Sequence, residues 1–505
     1  MKILNKLVAL SLILITVKIT TAQTFDGYAL YNLQNSNTTY LIDKNGAIAH
    51  SWTCALTGNY TVHLKENGNL VRGGNYGSNQ LSAPAVSGII QEFDASANLV
   101  WEYIYSTSTV VSHHDFCVLP NGNVILTAYE VKTGNELVAA GYSGGSSSDK
   151  WPTHFIELQP DGAGGATIIW EWHMWDHLVQ DFDNTKANFG VVANSPELMD
   201  INAVSGGGGG GGPGGPSGDW FHVNGLDYNP TLDQLVFTSR YASEFYIIDH
   251  STTTAQAASS TGGLSGMGGD FLYRWGNPPN YGSATPQIIP SAVHDPRWIK
   301  AGRPNAGYIE FFNNNGGGGS TSTVDAINPP LSGYNYTSLA TPATFDWRHT
   351  ALAYSSGQSA HDRMSNGNTF VNVSNQYMYE VDANGSMIWQ YSAGPSKAFR
   401  FECDYPGVIA LLGNDPCGLA TEIKEFTDAN ISIYPNPSKG IFNVVGLSIE
   451  MNSFSVDVYD VYGKQVLQTK NTNVINLSDF DNGVYIIHLV NENGVTIVKK
   501  VSLIK

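Results

Sequence analysis

The feature that most constrains the fold is an internal repeat with two markers, a tryptophan and a histidine. The tryptophan stands near the end of a strand-like segment, often after an acidic residue and a turn, in six copies: Trp52, Trp101, Trp170, Trp275, Trp347 and Trp389. The histidine opens a hairpin-like segment in five copies: His63, His114, His222, His294 and His361. Two markers that recur in matched order indicate repeated sheet units rather than an irregular chain.

The first tryptophan, Trp52, has no hairpin of its own before it. Residues 399–404, a Pro-Gly turn and residues 408–412 can supply two strands from the far end of the repeat. Strands from both ends would then share a sheet, as in the ring closure of a β-propeller with four-stranded blades around a channel. The sequence therefore predicts an all-β protein, a six-bladed β-propeller with the histidine strand innermost, followed by a small C-terminal β-sandwich. Two stacked sandwiches are the alternative.

The amino-acid composition agrees with an all-β protein, and the net charge argues against one class of binding partner. The chain has 54 glycines and 11% aromatic residues, which suits many tight turns between short strands. Its formal net charge is −18. Nucleic acid is a poor candidate partner for such a chain, because phosphate neutralisation needs clustered Lys and Arg.

The two ends suggest export. Residues 1–22 have lysines, a short apolar run and small residues, as a secretory signal peptide does, and no other stretch is long enough to span a membrane. We expect a propeller over residues 23–425 and a separate small domain over residues 426–505, where short alternating strands replace the repeat. The mature protein should therefore be exported and soluble.

Two glycine-rich segments interrupt the repeat. Residues 174–217 are inserted between the second and third blades and end in the glycine tract 206–215, which has the composition of a linker or lid. The shorter tract 316–319 falls within the fourth blade. Neither resembles a phosphate-binding loop, because no Lys-Ser/Thr pair follows.

The chain has four cysteines, at positions 54, 117, 403 and 417. One or two disulfides are possible in an oxidising compartment, with three connectivities if all four pair. We expect Cys403 to pair with Cys417, whereas Cys117 is equally well explained as a buried free thiol. The spacings match no metal site.

The segment around His222 predicts an anion site. Two strand-like runs, residues 221–228 and 234–240, flank a turn, so that Arg240 should lie opposite His222. Regular strand alternation would place His222 and Asn224 on one face. A guanidinium and imidazoles give charge-assisted hydrogen bonds to tetrahedral oxygens.

If the inner strands line a channel, the five repeat histidines approach one axis, and Arg400 would take the sixth position. For any single histidine a satisfied core position is the ordinary interpretation, but five at one repeat position favour a site. Imidazoles can transfer a group as nucleophile and as acid or base. Metal binding is the rival, disfavoured by Arg240, and we expect neither a metal nor a cofactor. The adjacent Asp115, Asp295 and Asp362 should face away and orient neighbouring blades.

Several segments resemble the bacterial aryl-sulfate sulfotransferases, six-bladed propellers that use no nucleotide donor. They are residues 219–228 (DWFHVNGLDY), 237–240 (FTSR), 247–249 (IID), 273–277 (YRWGN), 294–297 (HDPR) and 113–116 (HHDF). The resemblance runs over roughly residues 27–415. It implies that His294 becomes sulfated on nitrogen. His222, Asn224 and Arg240 would hold the sulfuryl oxygens, and His114 would act as acid or base at the phenolic oxygen.

The implied reaction is ping-pong transfer from a phenolic sulfate ester to an acceptor phenol. His361 stands near the position of a family threonine, so it is assigned with His63 and Arg400 to substrate binding only. Trp220, Phe221, Tyr241 and Trp298 are candidate walls for an aryl group. A non-catalytic surface binding or adhesion propeller and an aryl-sulfate hydrolase are the alternatives.

The C-terminal segment resembles the sorting domain of the type IX secretion system. The motifs are residues 434–440 (YPNPSKG), 458–463 (VYDVYG), 482–485 (NGVY) and the terminal 499–505 (KKVSLIK). This resemblance implies a Bacteroidetes-type bacterium, type IX secretion machinery as a partner, and removal of the domain during export. It also implies a route through the periplasm and outer membrane to the cell surface or the extracellular space.

Overall fold

The computed structural model describes residues 24–204, 218–339, 341–418, 431–446, 454–491 and 496–505. The predicted signal peptide, residues 1–22, and the glycine tract 206–215 lie outside these ranges. Two compact units divide the chain between Pro416 and Cys417. The domain boundary predicted at residues 425 and 426 also falls outside the described ranges, so it remains a prediction.

Within the described part of the first unit, six four-stranded antiparallel sheets follow one another as blades. Each blade is given from its first to its fourth strand in sheet order. The strands of blade 1 are Gly58–Leu64, Leu70–Asn75, Gly88–Phe93 and Leu99–Ile104. Those of blade 2 are Val110–Val118, Val124–Glu130, Thr153–Pro160 and Ala166–His173. Those of blade 3 are Val223–Asn229, Gln234–Ser239, Glu244–Asp249 and Tyr273–Trp275.

The remaining blades come from the end and the start of the repeat. The strands of blade 4 are Val293–Trp298, Ile309–Asn313, Thr323–Ile327 and Trp347–Thr350. Those of blade 5 are Ala360–Arg363, Thr369–Val373, Tyr377–Val381 and Met387–Tyr391. Those of blade 6 are Ala398–Glu402, Gly27–Asn32, Thr38–Ile42 and Ile48–Thr53.

Blade 6 closes the ring, as predicted. Its first strand comes from the C-terminal end of the repeat and pairs with the first N-terminal strand, where Arg400 is opposite Ala29. The first strand of every blade contacts the first strands of its two neighbours, including blade 6 with blade 1. The six-bladed β-propeller is therefore confirmed, with the histidine-bearing strands innermost.

One detail of the closure was predicted wrongly. Residues 408–412 do not form a strand, because Pro406–Leu412 is an α-helix with proline in its first turn. The fixed φ of proline suits the first turn of a helix as well as a β-turn, and the turn interpretation neglected this. One C-terminal strand and three N-terminal strands therefore make blade 6.

Four of the six marker tryptophans, Trp52, Trp170, Trp275 and Trp389, donate a hydrogen bond to the next blade. All six lie in the fourth, outermost strands. The indole N–H of Trp52 in blade 6 donates to the Asp94 carbonyl of blade 1, and that of Trp389 in blade 5 donates to the Lys44 carbonyl of blade 6. Because buried indoles need a hydrogen-bond partner, this marker recurs once per blade.

The connections carry the other short elements. The two remaining α-helices in the described residues are Gly134–Ala139 and Thr254–Ala257, and the 3₁₀ turns are Met174–Asp176, Val192–Asn194 and Pro278–Tyr281. Two short strand pairs are Leu178–Val179 with Met199–Asp200, and Leu331–Ser332 with Asn335–Tyr336. No described helix is long and apolar enough to cross a membrane.

The second unit is a small β domain with two sheets. One contains Ser432–Tyr434, Ile441–Val445 and Val474–Asn476. The other contains Gln465–Lys470, Phe454–Tyr459, Gly483–Asn491 and Thr496–Leu503. Apolar side chains such as Phe442, Val456 and Ile487 form its own core. Cys403 and Cys417 are both disulfide-bonded, as predicted, whereas Cys54 and Cys117 are free thiols.

Candidate active site

The innermost strands of blades 1 to 4 are interrupted by β-bulges. The pairing register shifts between Gly58 and Val62, Ser112 and Phe116, Val223 and Gly225, and His294 and Arg297. Extra residues bend the strand and redirect side chains. At these bulges the φ angles of His114, His222 and Asp295 are 52°, 49° and 51°. Positive φ is uncommon for residues other than glycine, and such strain concentrates at functional sites.

The bulges bring three of the five predicted histidines together. The ring centroids of His114 and His222 lie 4.7 Å apart. Burial lowers the pKa of His294 well below its ordinary value, and the nearby charges of Arg240 and His222 lower it further. We call His114, His222, His294 and Arg240 the histidine cluster.

His294 has one engaged and one unengaged ring nitrogen. Its Nδ1 lies 2.8 Å from the Ala292 carbonyl oxygen and 2.7 Å from Asn314 Oδ1. Its Nε2 is buried and has no hydrogen-bond partner among the described residues. Because both neighbours of Nδ1 are acceptors, the ring hydrogen belongs on Nδ1. The lone pair of the neutral ring is then on Nε2.

The orientation of Asn314 is itself fixed. Its Nδ2 donates to the carbonyls of Ser355, at 2.9 Å, and Gln358, at 3.1 Å. The amide oxygen must therefore face His294, which removes the usual ambiguity between O and N of an asparagine. Asn314 could not be predicted from the repeat, because this residue lies on the turn after the second strand of blade 4, outside every repeat marker.

His222 is held by a carboxylate and by the strand beside it. Its Nδ1 lies 2.5 Å from Asp219 Oδ2, so that Nδ1–H donates and Nε2 is left for a ligand. The backbone N–H of Arg240 donates to the His222 carbonyl at 3.1 Å. This confirms that the hairpin places Arg240 opposite His222. Asp219 belongs to the DWFHVNGLDY segment, but no role was predicted for it.

Asn224 does not reach this site by regular alternation. His222 precedes the strand, and Asn224 is the extra residue of the bulge between Val223 and Gly225. Its Nδ2 donates to the Val293 carbonyl at 3.0 Å, and its Oδ1 accepts from Thr238 at 2.7 Å. The asparagine therefore ties blade 3 to the residue before His294.

Gly225 allows this close approach of blades 3 and 4. A Cβ at this position would lie 2.4 Å from Pro296 Cδ and 2.7 Å from the backbone nitrogen of Asp295. Both distances are shorter than any van der Waals contact between such atoms. A side chain here would push blade 4, and His294 with it, away from His222.

His114 lies between a second histidine and a tyrosine. Its Nδ1 is 2.7 Å from Nδ1 of His113, so that one ring donates to the other. Burial lowers the pKa of His114 well below its ordinary value, as do His222 and His113. The ring of Tyr60, on blade 1, lies 5.9 Å from that of His114. Because of the bulge between Gly58 and Val62, the blade 1 residue that lies next to the histidine cluster is Tyr60 and not His63.

His63 lies outside the histidine cluster. Its ring meets Phe401 edge-on at 6.2 Å. Burial lowers its pKa to about 3, and the charges of Lys300, Arg297 and Lys65 contribute. It therefore lies in a cationic region of the inner strands, beyond the bulge that separates it from Tyr60.

His361 has a structural environment. Its Nδ1 lies 3.0 Å from Glu310 Oε2 and its Nε2 lies 2.8 Å from the Asp295 carbonyl. Burial alone would lower the pKa of His361, but the bond to Glu310 and the charges of Glu310 and Asp295 raise it. Both nitrogens are engaged in joining blades 4 and 5, so neither faces the cluster.

Arg400 also lies away from the cluster, between blades 5 and 6. Its Nη2 donates to the Phe25 carbonyl and to Glu380, and its guanidinium lies over the rings of Phe25, Phe370 and Trp389. Strand alternation directs the Arg400 side chain into the interface between blades 5 and 6. The prediction that Arg400 lies at the axis was therefore wrong.

Lys397 takes the inner position on blade 6 instead. Its Nζ lies 2.6 Å from Asp115 Oδ2 and 3.1 Å from Asp295 Oδ1, and all three side chains are buried. The carboxylate of Asp115 also accepts from the backbone N–H of Leu226 in blade 3. The prediction that Asp115 and Asp295 face away was wrong, because both contact Lys397 and so join blades 2, 4 and 6, which are not neighbours. The bond of Asp115 to Leu226 does join neighbouring blades, as the sequence predicted.

One of the four predicted aromatic walls lies at the cluster. The ring of Tyr241 is 4.9 Å from that of His222 and is partly exposed. Trp220 and Phe221 are fully buried in one hydrophobic core and Trp298 belongs to another, so these three are packing residues. Tyr60 and Tyr241 are the aromatic rings beside the cluster.

Comparison with known proteins identifies two regions. Residues 14–332 match the family described as Arylsulfotransferase (ASST). Residues 432–504 match the Secretion system C-terminal sorting domain, which indicates type IX secretion to the cell surface or beyond. No curated protein matches the sequence.

Three solved structures are similar to the chain at low identity. A protein of unknown function from Bacteroides caccae is 9% identical, with a TM-score of 0.40 and coverage of 74% of this chain and 98% of that chain. Apo AztD from Citrobacter koseri is 9% identical, with a TM-score of 0.36 and coverage of 75% and 99%. The Dos1 propeller is 10% identical, with a TM-score of 0.32 and coverage of 95% and 93%.

The side chains of the histidine cluster suit the group that the name of the matched family indicates. A cluster of imidazoles and a guanidinium suits a tetrahedral oxyanion such as a sulfuryl group. Because the first match spans well over half of the 505 residues, this chain belongs to the arylsulfotransferase family.

Proposed function

We propose that the protein moves a sulfuryl group from a phenolic sulfate ester to an acceptor phenol through a sulfated His294. The observation that carries this proposal is the environment of the His294 ring. Two acceptors hold the hydrogen on Nδ1, and burial keeps the ring neutral at pH 7. A neutral imidazole with a free Nε2 lone pair is a nucleophile near that pH.

In the first half-reaction, Nε2 of His294 attacks the sulfur of the aryl sulfate. The N–S bond forms as the S–O bond to the aryl group breaks, and the electron pair leaves on the phenolic oxygen. The sulfated ring gains positive charge while Nδ1–H is still bonded to Asn314 and Ala292. These two oxygens stabilise the intermediate, because hydrogen bonds to charged groups are stronger than neutral ones.

Arg240 and His222 supply the binding of the sulfuryl oxygens in this proposal. The charge of Arg240 already acts on His294. His222, whose Nδ1–H is held by Asp219, would donate from Nε2 to a sulfuryl oxygen in its doubly protonated form. Asn224 uses one N–H for the Val293 carbonyl, so its contribution to the sulfuryl group would come from the other. Donors preorganised toward developing charge are a large contribution to catalysis.

In the second half-reaction, the oxygen of an acceptor phenol attacks the sulfur and the N–S bond breaks. The phenolic proton goes to His114, and the electron pair of the N–S bond returns to Nε2 of His294. Burial and the neighbouring histidines keep the pKa of His114 low, so at pH 7 this ring is a free base. It can then accept the proton of the acceptor phenol, but it carries no extra proton for the phenolate that leaves in the first half-reaction.

The test is steady-state turnover of 4-nitrophenyl sulfate with and without added phenol. We expect phenol-dependent release of nitrophenol, parallel lines when donor and acceptor concentrations are varied, and loss of turnover in His294→Ala. His50→Gln, at a surface histidine, is the control and should retain activity. Turnover independent of phenol would indicate a hydrolase, and no turnover by the folded wild type would indicate a binding propeller.

A further inference from the structure

A second group of titratable residues lies in blade 2, outside the histidine cluster. Glu130, His154 and His173 each offer one ligand atom, and these atoms lie within 4.8 Å of one another. We propose that the three residues bind a divalent transition metal ion of the Zn²⁺ class. Two imidazoles and one carboxylate are a ligand set that zinc accepts with a fourth position open for water.

His154 supplies the strongest reason for this proposal. Its Nε2 is 2.8 Å from the hydroxyl oxygen of Tyr105, whereas its buried Nδ1 has no hydrogen-bond partner among the described residues. Buried polar atoms are nearly always paired. If Nε2–H donates to Tyr105, the lone pair on Nδ1 is available to a metal. Burial also lowers the pKa of His154 to about 3, so the ring is already neutral at pH 7.

His173 has the environment of a metal ligand on both sides. Its Nδ1 lies 3.2 Å from Glu130 Oε1, and its Nε2 lies 3.3 Å from Glu171 Oε2. Metal-bound histidines commonly donate their second N–H to a carboxylate, which fixes the ring and raises its basicity. For His154, the hydroxyl oxygen of Tyr105 would accept the second N–H in the same way.

The strand register explains why the sequence did not reveal this group. His154 in the third strand pairs with His173 in the fourth, and Glu130 ends the second strand. The three residues are far apart in sequence, so no ligand spacing exists to be recognised. The two imidazoles are parallel, with centroids 5.0 Å apart and 2° between planes.

The surrounding charges suit a divalent cation. Carboxylates of Glu130 and Glu171 touch His173, and the charge of Asp176 also acts on it. Lys132 bonds to Oε2 of Glu130 at 2.8 Å, which leaves Oε1 for a metal. With neutral histidines, three carboxylates and one ammonium leave two negative charges. The His173 side chain is 27% exposed, which gives an ion a route from solvent.

The experiment uses the purified wild-type protein and Zn²⁺ alone. After equilibrium dialysis at micromolar Zn²⁺ and pH 7.5, we expect one bound ion per chain and a higher Tm, because an ion that binds only the folded state stabilises it. His154→Ala and His173→Ala should abolish both effects, whereas His222→Gln, in the histidine cluster, should retain them. Circular dichroism verifies that each variant is folded.

Substitution with Co²⁺ requires no variant. The visible spectrum of the wild-type complex should show the intense bands of a four-coordinate site with nitrogen ligands. Failure to retain Zn²⁺ would overturn the proposal. So would retention by the double variant H154A/H173A together with loss in His222→Gln, because the ion would then lie in the histidine cluster.

Discussion

Asn314 Oδ1 lies 2.7 Å from His294 Nδ1, and this contact determines which nitrogen of the proposed nucleophile is free. The amide cannot rotate without placing its NH₂ group against the ring and its oxygen against two carbonyls. The same hydrogen bond would strengthen when sulfation makes the ring cationic. It therefore stabilises the intermediate more than the free enzyme, which is the condition for accelerating a reaction.

Replacement of Asn314 by alanine tests this relationship. Hydrogen bonds to charged groups contribute about 1.5–3 kcal/mol, so we expect kcat/KM to fall roughly 10- to 150-fold. Ala292 still holds Nδ1–H, so activity should not vanish. Asn315→Ala, which removes a surface asparagine on the same turn, is the matched control. Equal activities of the two folded variants would show that Asn314 does not orient the nucleophile.

The low pKa of His114 leads to a prediction about donors. A ring that is neutral at pH 7 gives little help to a departing phenolate, so donors with acidic phenols should react faster. We expect log kcat/KM for a series of substituted phenyl sulfates to decrease steadily as the pKa of the phenol rises. A flat relationship would indicate full protonation of the leaving group and would contradict a His114 ring that is neutral when the donor reacts.

The contact of Lys397 with Asp115 and Asp295 should be important for stability. Removing one partner of a buried ion pair typically costs about 3–5 kcal/mol, because a charge is left uncompensated. Lys397→Met should therefore lower the free energy of unfolding by about that amount in urea denaturation. Lys44→Met removes a lysine that pairs with Asp26 at the surface, and it should change stability by less than about 1 kcal/mol. Similar losses in the two variants would refute a special role for Lys397.

His250 should make the stability of the propeller depend on pH. Burial alone would lower the pKa of His250, but Asp233 and Glu157 raise it to about 9. Because the folded pKa exceeds the unfolded value of about 6.5, the protonated ring stabilises the fold fully below that pH. This contribution, on the order of 3 kcal/mol, should be lost as the pH rises through 9. Thermal unfolding across pH 6–10 measures it.

His250→Gln should have a flatter profile over the same range, with its largest deficit in Tm at the acidic end. His50→Gln should follow the wild type. A wild-type Tm that is constant between pH 6 and pH 10 would contradict the raised pKa of His250.

The fold was predictable because its information is local and repeated. Each outer strand carries a tryptophan and each tight Asn-Gly-Asn turn has a glycine with positive φ, as at Gly68, Gly122 and Gly367. The Pro406 helix was missed because a proline followed by glycine fits two local structures. Blade closure followed from counting markers, without knowledge of any long-range contact.

The site was predictable only in part. His222 and Arg240 are brought together by one hairpin, which a sequence reveals. The bulges are not visible in sequence, and they separate His63 from His114 although both carry the same marker. Asn314, Lys397 and Glu130 depend on contacts between distant segments, so residue spacing could not have identified them.

The central claim is a covalent bond between His294 and a sulfuryl group, and mass spectrometry tests it directly. The wild-type protein is mixed with excess 4-nitrophenyl sulfate without an acceptor, quenched under alkaline conditions and digested. We predict that the peptide containing His294 gains one sulfuryl group, that added phenol removes it, and that Asn314→Ala accumulates less. Sulfation at another residue, or an unmodified His294 during phenol-dependent turnover, would contradict the account.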